Sequence, residues 1–242
     1  MHFSSPFRSS CAVCPPFHKG TLRMRLRSPL LLLALAMLLP ALVGGCSSTY
    51  YKTMEKLGVP KREIMVDRVG RARDAQEDAK QQFQSALEQF TQVVEVKGGD
   101  LERKYKLLDD QYKKCKEEAD NVHKRIGAVE SVSEALFDEW EAELGQYGNE
   151  ALRRDSKSKL EATRRQYEQL IAAMKRAEGK IQPVLSVFND QVLYLKHNLN
   201  AQAIAALQGE LVNLEENVDR LVREMETSIR EADQFITKLQ KT

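Results

Sequence analysis

Along most of the chain the apolar residues recur at steps of three and four, the spacing of one helix face. From Lys61 the series Met65, Val69, Ala72, Ala79, Phe83, Ala86, Phe90 and Val93 predicts a first helix over 61–96, broken once at Gln76. KGGD at 97–100 supplies two glycines as a stop and Asp100 as a cap for the next helix. There the 4-3 alternation is unbroken: Leu101, Tyr105, Leu108, Tyr112, Cys115, Ala119, Val122, Ile126, Val129, Ser133, Leu136 and Trp140. Carried to about Tyr147, such a helix is on the order of 70 Å long, which points to an elongated molecule. GQYGNE at 145–150 reverses the chain. A third helix follows, with Leu160, Thr163, Tyr167, Leu170, Met174, Ala177, Ile181, Val184 and Phe188, then a slip of the seam to Val192, Leu195 and Leu199. Pro183 lacks a backbone donor and lies near Gly179, so a kink or a full break is expected at 179–183. HNLNAQ at 197–202 makes the last turn, because Asn198 and Asn200 suit caps and tight bends. Ile204, Leu207, Leu211, Leu214, Val218, Leu221, Met225, Ser228, Ala232, Phe235 and Leu239 then mark a fourth helix. The fold class is all-α: an elongated antiparallel coiled coil or four-long-helix bundle over 61–242.

The residues ahead of Lys61 follow a different plan. From Met24 the chain reads MRLRSP, an apolar run LLLLALAMLLPALV, and then GGC, the order of a secretory signal peptide. Val43, Gly44, Gly45 and Cys46 resemble the lipobox of bacterial lipoproteins, which implies signal cleavage between Gly45 and Cys46 and acylation of the Cys46 thiol. Several acyl chains make a lasting anchor. By the same resemblance, Ser47 in place of an Asp implies the periplasmic face of the outer membrane. Residues 24–45 are thus read as the signal peptide, 46–60 as a lipidated tether, and 1–23 as a non-structural extension, with translation starting at Met24. Gly58 and Pro60 argue against an uninterrupted helix in the tether, and Tyr50 and Tyr51 suit the headgroup level.

Composition fits helices, with 30% charged residues, 7 Pro and 12 Gly in 242 residues. The formal charge of +2 is carried by the leader: Arg8, Lys19, Arg23, Arg25 and Arg27 stand in residues 1–45 without an acid. The remainder is slightly acidic, so nucleic acid is not an expected partner.

Chemistry is sparse. Cys11 and Cys14 form a CxxC with no second pair to complete a site. Of the histidines after the signal segment, His123 and His197, neither stands in a nucleophile motif. The triplets before them start with Asp120 and Tyr194, so the Glu-x-x-His pattern of di-iron bundles fails. Cys115 reads as core packing. Trp140, Tyr105, Tyr112, Phe137 and Phe83 are core by spacing, with an apolar-ligand pocket as the sharper alternative. Arg153, Arg154, Arg164 and Arg165 read as a solvated helix face, with a peptidoglycan or phosphate contact as the alternative. No GxxxxGK[ST] loop occurs, so likeness to the coiled-coil arms of DNA-repair ATPases reflects heptads alone. No cofactor, metal or enzymatic activity is expected.

Together VGGC, the tether segment YYKTMEKLGVPKREI, the KGGD turn and the four heptad helices resemble a family of Gram-negative lipoproteins with a helical domain of unknown function (domain of unknown function 2959). The likeness extends over 46–242 and implies no catalytic or binding residues. The expected protein is a lipid-anchored periplasmic scaffold or interaction module. Its expected partners are the membrane, through acyl chains on Cys46, and an envelope protein or the cell wall, and heptads also allow a homo-oligomer. A helical carrier of lipid or another apolar ligand and a cytoplasmic DNA-associated coiled coil are the alternatives.

Overall fold

A computed structural model describes residues 46–95 and 100–241. The expected signal segment 24–45, its cleavage position after Gly45, and the extension with Cys11 and Cys14 lie outside the described residues. Among the described residues five helices follow in order: α1 (Cys46–Lys56), α2 (Lys61–Glu95), α3 (Leu101–Leu144), α4 (Glu150–His197) and α5 (Ala201–Lys241). No strand occurs among the described residues. The four long helices run up and down. Each packs on its sequence neighbour, and α2 closes against α5, so the seams meet in one ring around a shared core. At 1.5 Å per residue α4 is about 72 Å long.

The chain ends its helices where local chemistry dictates. Asp100 caps α3, accepting from Glu102 N at 3.0 Å and Arg103 N at 3.2 Å. Asn149 caps α4 in the same way, through Ala151 N and Leu152 N. Asn200 accepts from Ala203 N at 3.0 Å at the start of α5.

The expected seams form the core, in which Phe83, Phe90, Phe188, Leu108, Leu170 and Leu221 are fully buried. Pro183 does not break the third long helix, because α4 is continuous from Glu150 to His197. Ile181, Val184 and Leu185 are all buried around the proline and hold that turn against the bundle. Leu199, expected on the seam, lies in the turn after α4 and is exposed. Gln76 is not a gap in the first seam. Its side chain is fully buried there, and Oε1 accepts from Ser228 Oγ of α5 at 2.7 Å. Its Nε2 finds no partner.

The segment ahead of Pro60 carries a helix of its own. α1 ends in a left-handed turn: Gly58 has φ +83, its N–H donates to Glu55 O at 2.9 Å, and Val59 N donates to Met54 O at 3.0 Å. That double bond, with Met54 and Val59 both packed against the core, is a Schellman motif. Pro60 then accepts the first backbone bonds of α2 from Glu63 N and Ile64 N.

Candidate functional site

A polar construction of tyrosines, a lysine and two carboxylates seats α1 against α2 and α3. Tyr51 is buried, and its hydroxyl lies 3.0 Å from Ser131 Oγ of α3. Tyr50 packs edge-on against Tyr51, with ring centroids 5.2 Å apart, and its hydroxyl takes a long 3.4 Å bond from Arg68 of α2. Lys61, whose side chain is 8% exposed, donates to Glu55 of α1 and to Glu139 Oε1 of α3 at 2.8 Å. One ammonium at the first position of α2 thus ties together the helix before it and the helix after it.

The three charges shape one another. Burial works against the Lys61 ammonium, yet hydrogen bonds to Glu139 and Glu55 hold its pKa above the ordinary value. Burial, followed by the Glu55 carboxylate at its side, pushes Glu139 up. The hydrogen bonds with Glu139 and Lys61 pull Glu55 down.

Beside this clasp lies a groove of about 580 Å³, lined by Lys61, Pro60, Leu136, Glu139, Trp140 and Leu239 among others. It is open to solvent along one side. Trp140 closes its wall and donates Nε1 to Ser156 Oγ of α4 at 2.8 Å. Arg62 reaches across to the Leu239 carbonyl in the last turn of α5.

The residues singled out from the sequence do not converge. Tyr105 and Phe137 stand about 48 Å apart along α3, so the five aromatics cannot line one pocket. Phe83 and Phe137 are core, Phe137 stacks edge-on with Tyr167, Tyr105 and Tyr112 flank the core, and Trp140 is tied to Ser156. Arg153 pairs with Glu150 three residues back, and Arg164 pairs with Glu141 and covers the Phe137 ring at 5.5 Å. Arg165 borders a shallow groove with Glu168, Arg176 and Glu231, and Arg154 is exposed. These four do not form a cluster. His123 is 82% exposed, with Nδ1 2.5 Å from Glu178 Oε1 of α4, whose hydrogen bond raises the imidazole pKa. His197 is exposed in the last turn of its helix. Cys115 is core, and burial pushes its thiol up to about 12. Among the described residues no group of three His, Cys, Asp or Glu could hold a metal ion, and no helix is long and apolar enough to cross a membrane.

Residues 50–239 match the family described as Protein of unknown function (DUF2959). The chain belongs to the DUF2959 family. The helical domain of unknown function expected from the tether and turn segments is therefore the one found. The match starts inside α1, so the clasp helix is part of the DUF2959 domain and not an appendage to it. No curated protein and no solved structure matches the chain.

Sequence reasoning missed the clasp. Its one local signal was a tyrosine pair in an otherwise polar segment, and the partners that seat it, Ser131 and Glu139, come from α3, about 80 residues on.

Proposed function

We propose that this DUF2959 protein is a non-enzymatic lipoprotein of the bacterial periplasm, anchored through Cys46 to the outer membrane, whose bundle serves as a scaffold for envelope proteins or the cell wall. The observation that carries this reading is the junction at Cys46. The VGGC cysteine ends a signal-like run and is also the first residue of α1, so acylation there would fasten the folded domain with almost no slack. A packed bundle of long helices is stiff, and its polar faces are the surfaces left for partners.

The carrier alternative needs a continuous apolar space between helices. Ala72, Ala79 and Ala86 are completely buried on α2, and small seam residues favour close helix approach over a cavity. The grooves on the bundle are open and partly lined by charge. The cytoplasmic coiled-coil alternative requires the signal-like run to be retained.

Intact-mass measurement on protein from the membrane fraction, beside a Cys46→Ala variant, tests the proposal. A chain beginning at Cys46 with added acyl mass, absent from the variant, is the expected result. An unmodified chain keeping residues 24–45 in the soluble fraction would overturn it.

A further inference from the structure

The direction of α1 decides where a membrane would meet the bundle. Tyr50 touches Arg68 and Glu55 touches Lys61, so α1 runs antiparallel to α2; Tyr51 at Ser131 and Glu55 near Glu139 make it parallel to α3. The helix is folded back along the flank. Ser131 is about 20 Å from the Leu144 end of α3, and Cys46 begins α1 about 7 Å before Tyr51. Cys46 therefore leaves the bundle about 27 Å in from its near end, on the flank and not at the tip.

The outward face of α1 carries one sign of charge. Its only carboxylate, Glu55, is turned inward onto Lys61, while Lys52 and Lys56 are exposed on the outside with Tyr50 beside them. Arg68 extends this face from α2, and Arg71 next to it is partnered by Asp67 at 3.0 Å. A half-exposed aromatic ring among lysines is the make-up of a surface that rests at lipid headgroups.

We propose that the outer face of α1, with Tyr50, Lys52, Lys56 and Arg68, is a docking surface for an anionic lipid leaflet, so that the bundle lies lengthwise along the membrane. The inference rests on the reading of Cys46 as the acylated residue. With α1 seated, acyl chains at mid-flank draw this face to the headgroups, and the basic residues hold it there with a strength that salt screens. A bundle standing on its near end would need α1 to peel away from Ser131 and Glu139.

Energy transfer distinguishes the two poses. Glu102 sits at the far end of α3, so a donor dye on Glu102→Cys lies about 60 Å above the leaflet in a standing bundle and within about 20 Å in a lying one. Cys115 is buried with its thiol held neutral, and Cys46 is acylated, so only the new thiol takes the dye. The acylated protein is reconstituted into vesicles of phosphatidylethanolamine and phosphatidylglycerol carrying headgroup acceptors. Strong transfer is expected, lost at high salt, in phosphatidylcholine vesicles and in the Lys52→Gln, Lys56→Gln double variant, which removes the charge without placing a new carboxylate beside Glu55 and so keeps a melting temperature close to the parent's. Weak transfer in the parent protein, or transfer indifferent to salt and to the double variant, overturns the docking surface while leaving the anchor in place. Protein without acyl mass on Cys46 overturns the anchor and the docking together.

Discussion

The seam of α2 with α5 and the seat of α1 hold helices by different means. Along the seam, residues such as Phe83, Phe90 and Leu214 are fully buried, and the attraction is area removed from water. At the seat, apolar contact from Tyr51, Met54 and Val59 is joined by directional bonds from a tyrosine hydroxyl and from one lysine shared by two carboxylates, and those carboxylates are about a third exposed. Apolar burial is non-directional and indifferent to pH, whereas the seat depends on geometry and on protonation. The first suits a permanent body. The second suits a part whose attachment responds to its surroundings.

The sharpest contrast comes from removing one residue on each side. Phe83→Ala is expected to cost about 4 kcal/mol of global stability, since it empties a completely buried ring site, and a urea midpoint close to the parent value would contradict the account of the seam. Lys61→Met leaves Glu55 and Glu139 facing each other. It should cost about 2 kcal/mol, below the value for a dry pair because the carboxylates are partly solvated. That loss should be local: amide exchange in α1 accelerates while exchange in α4 and α5 stays as it was. Uniform acceleration everywhere would mean that the clasp is not separable from the seam.

Smaller effects refine the contrast. Gly58→Ala meets no atom within 4 Å, so its cost is the backbone strain of a side chain at φ +83, about 1 kcal/mol, read as a lower melting temperature. Within the seam, Gln76→Leu combined with Ser228→Ala removes the orphaned Nε2 and is expected to raise stability by about 1 kcal/mol. Destabilisation there would show that Nε2 has a use in the folded protein. The pH dependence of Cys115 has a definite sign. Its folded pKa of about 12 lies above the ordinary thiol value of 9.0, so its contribution to stability is full below pH 9 and is lost as pH rises toward 12. A Cys115→Ser variant should therefore show a flatter alkaline stability profile, and an identical slope in both proteins would refute that assignment.

The seat also shows what pattern reading reaches and what it does not. The seams of α2 to α5 were legible because amphipathic repetition over many turns leaves little alternative partner for each stripe. Asp100 and Asn200 were legible as caps because capping is a matter of a few residues. The tether reading of 46–60 identified Gly58 and Pro60 as a break but gave no hint of the helix before it. Eleven residues form a helix stably only with tertiary support, and that support comes from the core contacts of Tyr51 and Met54 together with Lys61, Ser131 and Glu139. Gln76 interrupted the pattern visibly, yet its partner Ser228 lies 152 residues away.

By itself the sequence determined the all-α class, the four long helices, their turns and the family, since each is written in periodicity or in short local motifs. Only the tertiary structure decided that the four seams close into one ring, that α4 passes through Pro183 unbroken, and that α1 folds back so that Cys46 leaves from the flank. Those outcomes depend on contacts between residues far apart in the chain, whose energies no local pattern contains.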